Sequence, residues 1–245
     1  MGTMMVMSGH VNSGLEAKRM DDRRVAGGLV KRPNRLGEEV YNVIYAQLMS
    51  RQIPPGGRIS VDGLVREMGV SQTPIREALS RLEAEGLVVK THLIGYSAAD
   101  QMDAGRLEQL YELRLLLEPF AAARAAEAMT EGVLANLKKL AEDMQACEND
   151  APGEAYGRFA QLDTQFHDLI AQAGGNELVQ EALANLHIHV HLFRLFYHTR
   201  VTAEAIDEHR QLIEALEKRD PRMAEASMRS HIERSRQRFA KAFQH

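Results

Sequence analysis

The stretch Val70–Val88, VSQTPIREALSRLEAEGLV, decides the reading of this chain. Ser71 or Thr73 can cap a helix start, and Pro74 is tolerated in a first turn, whose backbone N–H groups lack intrahelical partners anyway. Ile75, Ala78, Leu79 and Leu82 recur at helical spacing, which predicts a stripe turned to a core. Gln72, Thr73, Arg76 and Ser80 fall on the opposite side, a short polar face with one fixed cation. Gly86 ends the helix, and Leu87 with Val88 begins an extended segment. A shorter helix, Val61–Met68, precedes it and is joined through Gly69. Two short helices about a glycine, the second opening on small polar residues and arginine, fit a helix-turn-helix. They also fit an ordinary amphipathic pair in a helical core.

Upstream, Leu36–Ser50 predicts a helix with Leu36, Val40, Val43, Ile44 and Leu48 as its apolar stripe, stopped by Pro54-Pro55-Gly56-Gly57. Ser60 can cap the helix that follows. Downstream, Leu87–Thr91 and Gly95–Ala98 predict a hairpin around His92-Leu93-Ile94, where Lys90 and His92 could reach phosphate or a minor groove or be simply solvated. From Asp100 onward the pattern predicts helices only: Met102–Met129, Glu131–Cys147, Glu154–Ala173, Glu177–His198, Thr202–Lys218 and Pro221–Phe243. Thr130 is placed to cap the second of these, and Pro119 to kink the first. Residues 1–35 lack periodicity and read as a disordered basic extension.

Charge is uneven along the chain. The net charge is −4, yet residues 1–97 carry 13 Lys+Arg against 10 Asp+Glu, a net of +3, while the remainder carries 17 against 24, a net of −7. Attraction to phosphate is therefore concentrated in the first part. The one cysteine, Cys147, cannot form an internal disulfide, and there is no membrane-length apolar run or apolar signal core. A cytoplasmic protein with no membrane partner is the expectation.

The run GVSQTPIREALSRLEAEGLV, with RQIPPGGRIS before it, closely resembles the winged helix-turn-helix of the GntR family of bacterial transcription regulators. The shared features span Leu36 to Ala98 in one register. Gln72 stands where an arginine is common in that family, and Val61 where an acidic residue is common. The resemblance implies double-stranded DNA as partner, with Arg76, Ser71, Gln72, Thr73 and Ser80 of the recognition helix and Lys90 and His92 of the wing as the DNA-binding residues. Tyr111-Glu112-Leu113-Arg114, Leu117-Glu118 and the Ala-rich run that follows resemble the opening of the FCD domain of the FadR-like branch. Six helices resemble its VanR-type subgroup. The implied architecture is mainly α: residues 36–98 a winged helix-turn-helix, residues 100–245 an antiparallel six-helix bundle for effector binding and dimerisation.

Asp163 and His167 lie at i and i+4 and share a helix face. Read alone, that pair is a hydrogen bond, and His209 and His231 are core histidines. The FCD resemblance implies more: Asp163 and His167 in DTQFHDLI, His209 in DEHRQLIEAL and His231 in MRSHIERS match an Asp-His-His-His metal site. That donor set suits zinc or nickel, with iron and manganese as alternatives. Arg114 is a candidate clamp for an effector carboxylate, with a surface ion pair to a neighbouring Glu as the alternative. His187, His189, His191 and His198 cannot converge at such spacings; His187 and His191 join Arg114 as effector candidates.

The reading is a dimeric transcription regulator, a repressor at a palindromic operator, whose affinity for DNA is altered by a small organic acid at or near a divalent metal. The alternatives are a metal-dependent enzyme acting on small organic acids, and a purely structural metal. The enzyme reading lacks a general base beside the metal and leaves the winged helix without a role.

Overall fold

The computed structural model describes residues 35–147, 152–195 and 201–243. The basic extension expected over residues 1–35 lies outside them, except for Arg35, which opens the first helix.

Helix α1 (Arg35–Met49) buries Val40, Tyr41, Ile44, Tyr45, Leu48 and Met49. Leu36 and Val43, expected on its stripe, are 42% and 45% exposed. The face is built instead on the 40/41, 44/45 and 48/49 pairs, the width needed to cover a packed partner rather than a narrow seam. Strand β1 (Arg58–Ile59) follows the Pro-Gly turn. Helix α2 (Val61–Met68) begins where the Ser60 hydroxyl accepts from the Gly63 N–H at 3.1 Å, and it ends at Gly69 in the left-handed region.

Helix α3 (Gln72–Ala84) buries Pro74, Ile75, Ala78, Leu79 and Leu82, as its spacing predicts. Ser71 occupies the cap position with extended backbone, but its side chain makes no capping hydrogen bond. Strands β2 (Val88–Thr91) and β3 (Gly95–Ala98) form the hairpin. β1 pairs antiparallel with β3, placing Arg58 opposite Ser97 and Ile59 opposite Tyr96, so the sheet order is β1-β3-β2. Two helices and such a sheet make a winged helix-turn-helix.

The rest is helical: α4 (Ala104–Ala128), α5 (Glu131–Ala146), α6 (Pro152–Ala173), α7 (Glu177–Asn185), α8 (Ile188–Leu195), α9 (Val201–Glu217) and α10 (Pro221–Ala240). Asp103, Thr130, Asn176 and Asp220 each cap the helix that follows with a side-chain oxygen. α4 runs through the buried Pro119 as one helix. The single helix expected over Glu177–His198 is instead two, divided where His187 takes φ +45. Six expected helices thus appear as seven among the described residues.

The two halves share one continuous core. The Tyr45 hydroxyl of α1 donates to the Gly157 carbonyl of α6 at 3.3 Å. A Cβ at Gly157 would lie 3.3 Å from the Tyr45 ring, so a residue without one permits the approach. Among the described residues no helix is long and apolar enough to cross a membrane.

Candidate functional site

The start of α3 presents Ser71, Gln72, Thr73, Arg76 and Ser80, all exposed, on the side away from its buried stripe. Gln72 is held in place: its Nε2 donates to Asp62 Oδ1 at 2.9 Å, and its Oε1 accepts from Arg76 Nη2 at 3.2 Å. This short chain pre-positions the guanidinium at the helix start without burying it. On the wing, Lys90 Nζ lies 5.7 Å from the centre of the Tyr96 ring and His92 is exposed. The tip itself is apolar, with Leu93 at φ +63 and 93% exposed. Arg81 does not join this surface: it is bound by Glu38 and Glu85 and lies over Tyr41.

A second constellation lies in the helical half. α6 brings Asp163 and His167, α9 brings His209 and α10 brings His231, and all four are buried. One ring nitrogen from each of the three histidines falls within 4.8 Å of the others. Asp163 Oδ1 is 3.3 Å from His209 Nε2. The Phe166 ring stacks on His209 at 4.5 Å between centres and closes one side.

Two glutamates stand behind the cluster; the sequence alone places neither at the site, Glu118 entering only as part of the FCD resemblance. Glu118 of α4 meets His167 Nδ1 at 2.8 Å, and Glu208 of α9 meets His231 Nδ1 at 2.8 Å. Burial alone would raise the Glu118 carboxyl, but the Arg114 guanidinium and His167 outweigh it and hold it well below the usual range. Glu208 is likewise lowered: Arg238 and His231 overcome its burial. Ionised carboxylates only accept, so Nδ1 of both imidazoles carries a proton. Burial pushes His231 down more than Glu208 pushes it up, which keeps the ring neutral as a ligand requires. Imidazoles backed by carboxylates, beside a further carboxylate, are a donor set that fits a divalent transition metal.

The three residues expected around an effector do not share one site. Arg114 is 1% exposed and gives Nε to Glu118 Oε1 at 2.6 Å, so the carboxylate it holds is the protein's own. It stands behind His167. His187 and His191 instead line a cavity with Arg106 at the junction with the winged helix, and Arg114 is not part of its lining. His189 and His198 lie outside the described side chains. Glu118 had a sequence signal in its i, i+4 relation to Arg114; Glu208, beside His209 yet turned to His231, had none.

The comparisons with known proteins agree with this layout. Residues 36–95 match the model of bacterial regulatory proteins of the gntR family, and residues 109–234 match that of the FCD domain. The chain is 28% identical over 228 residues to the Uxu operon transcriptional regulator of Escherichia coli, covering 82% of this chain and 86% of that one. It is 25% identical over 201 residues to the transcriptional repressor RspR of Escherichia coli, covering 81% and 86%. The solved structure of Escherichia coli McbR/YncC superposes with a TM-score of 0.63 at 23% identity, covering 85% of this chain and 97% of that one, a likeness of fold. With a winged helix-turn-helix ahead of an FCD domain, each matched by its own family model, this chain belongs to the GntR family and is a DNA-binding transcription regulator.

Proposed function

We propose that this regulator is a homodimeric repressor that holds a divalent metal ion through Asp163, His167, His209 and His231, and that a small carboxylate effector completing the ion's shell weakens operator binding. The observation that carries this reading is the convergence of three buried imidazoles from α6, α9 and α10, two of them oriented by ionised glutamates. The ion would be zinc or nickel, with iron and manganese as alternatives; when bound, it supplies an electropositive centre for a carboxylate. Everything else is done by the chain. Arg114 holds Glu118, Glu118 holds His167, and Arg238 holds Glu208, so the ligands stand pre-oriented.

Transmission to DNA follows from α6. It carries Asp163 and His167, and Gly157 on the same helix touches Tyr45 of α1. An effector that prefers one arrangement of these helices shifts the equilibrium between DNA-matching and non-matching states. Coupling of about 1–3 kcal/mol changes operator affinity roughly 5- to 150-fold. The expected result for the double substitution His209→Ala with His231→Ala is loss of bound metal and of any effector response, read by elemental analysis and operator binding with organic acids. Loss of metal with the response intact would reduce the ion to a structural role. Retained metal would assign the ligands elsewhere.

Dimerisation is required for a palindromic operator, because one winged helix reads only a half-site. Leu116 and Phe120 project from α4 at i and i+4 with 72% and 44% exposure, and Leu178 of the neighbouring α7 is 77% exposed. Apolar side chains left in water on adjacent helices support this face as the seam between copies. Leu116→Glu with Phe120→Glu should give a monomer in light scattering, with folding unchanged. A dimer that persists in that variant places the seam on another face.

A further inference from the structure

The cavity lined by His187 and His191 has a volume of about 500 Å³, ample for a small organic molecule. Its apolar floor is Met102, Leu110, Leu113 and Leu186; Arg106, His187 and His191 line the same space. Asp100 also borders it, but its Oδ1 lies only 3.1 Å from where a Gly56 Cβ would stand, and its charge acts on Arg194. The wall at His191 is electropositive: after burial, the groups that push this imidazole down to about 4 are Arg194, His187 and Arg106. His187 reaches its place by adopting φ +45, a backbone strain carried where α7 meets α8.

Two side chains of this cavity, His187 and His191, lie against the turn that follows α3. Gly86, which ends α3 at φ +72, has His191 Nε2 and His187 Cδ2 within 3.2 and 3.3 Å of the position its Cβ would take. Arg194, three residues beyond His191 on α8, donates to the Ala99 carbonyl at 2.7 Å. The Ala99 N–H in turn donates to the Leu87 carbonyl at 2.8 Å, one residue past Gly86. Arg51, at the end of α1, closes the frame by donating to the carbonyls of Arg194 and Leu195, both at 3.0 Å. A molecule seated against His187 and His191 therefore presses on the turn that sets the exit of α3.

We infer that this cavity is a second ligand site, separate from the histidine cluster, for a small organic anion with an apolar body and one carboxylate or phosphate group, and that its occupancy alters operator affinity. Arg106 and the imidazoles receive the anion, and the four apolar residues receive the body. The site does not depend on the metal or on the effector reading above.

The test uses the full-length protein with three probes: hexanoate, hexyl phosphate and, as the uncharged control, hexanol. At least one of the two anions should bind in calorimetric titration, with hexanol weaker by about tenfold or more. Whichever anion binds more tightly identifies the head group. Binding should raise the pKa of the His191 imidazole, followed by NMR, because a bound negative charge favours its protonated form. Arg106→Ala, on an exposed first turn, should weaken the anion by about tenfold. The His209→Ala, His231→Ala double variant should leave it unchanged. Operator affinity should change on adding the anion. The inference is overturned if neither anion moves the His191 resonances, if Arg106→Ala binds like the parent, if the double variant abolishes binding, or if operator affinity is indifferent to the bound anion.

Discussion

Arg76→Ala should lose operator binding at physiological salt while keeping its helical content and its thermal midpoint. The guanidinium is exposed and its only described hydrogen bond is to Gln72 at 3.2 Å, so its removal takes nothing from the core. On DNA the proposed role of the same group is a base or phosphate contact at the start of α3. Such a contact contributes about 1–3 kcal/mol, and two copies on a palindrome about 2–6 kcal/mol. At about 1.4 kcal/mol per tenfold, the loss in affinity is between one and four orders of magnitude. Fluorescence anisotropy with an operator duplex and a scrambled duplex measures it, and the loss should be larger on the operator. Parent-like affinity would mean that α3 is not the reading helix.

The second large effect is on stability and belongs to Glu118. This carboxylate is 3% exposed and accepts from both Arg114, itself 1% exposed, and His167. Glu118→Ala would leave a guanidinium buried without its counter-charge, which costs about 3–5 kcal/mol. Against a total stability of about 5–15 kcal/mol, that is a substantial fraction. The thermal midpoint should fall by roughly 6–20 °C. Because the carboxyl is held well below its ordinary range, its contribution is full above that range and is lost only as pH falls through the lowered value. The deficit of the variant should therefore be constant across neutral pH and shrink in acid. Affinity for the proposed metal ion should also drop, by about 10- to 100-fold, since His167 loses the partner that orients it. Glu118→Gln, which keeps shape and one acceptor, should fall between. An unchanged midpoint in Glu118→Ala would show that the Arg114 charge is satisfied by other groups.

Much of this molecule is set by contacts a few residues long, and those are open to the sequence. The stripe Ile75, Ala78, Leu79 and Leu82, the cap at Ser60, the cap at Thr130 and the stop at Gly86 all depend on neighbours within one helical turn. So does the shared face of Asp163 and His167. Other features depend on what lies across from a residue, and only packing decides that. β1 is two residues long, too short for any period, and exists because β3 offers it an edge. The break at His187 has no glycine or proline to announce it; a positive φ is held there by the surroundings against the residue's own preference. Leu36 and Val43 fit an apolar stripe by spacing and yet face water, because the face of α1 chosen for burial is the one its partners cover. Glu118 and Glu208 became the supports of two histidines through helix crossings, with His167 49 residues from Glu118 and His231 23 residues from Glu208. The sequence by itself determined most of the helices, the caps at Ser60 and Thr130 and the polar face at the start of α3, since those follow from short-range geometry. The tertiary structure alone decided which charges are buried together and which histidines stand against the turn after α3, because both depend on the relative placement of elements far apart in the chain.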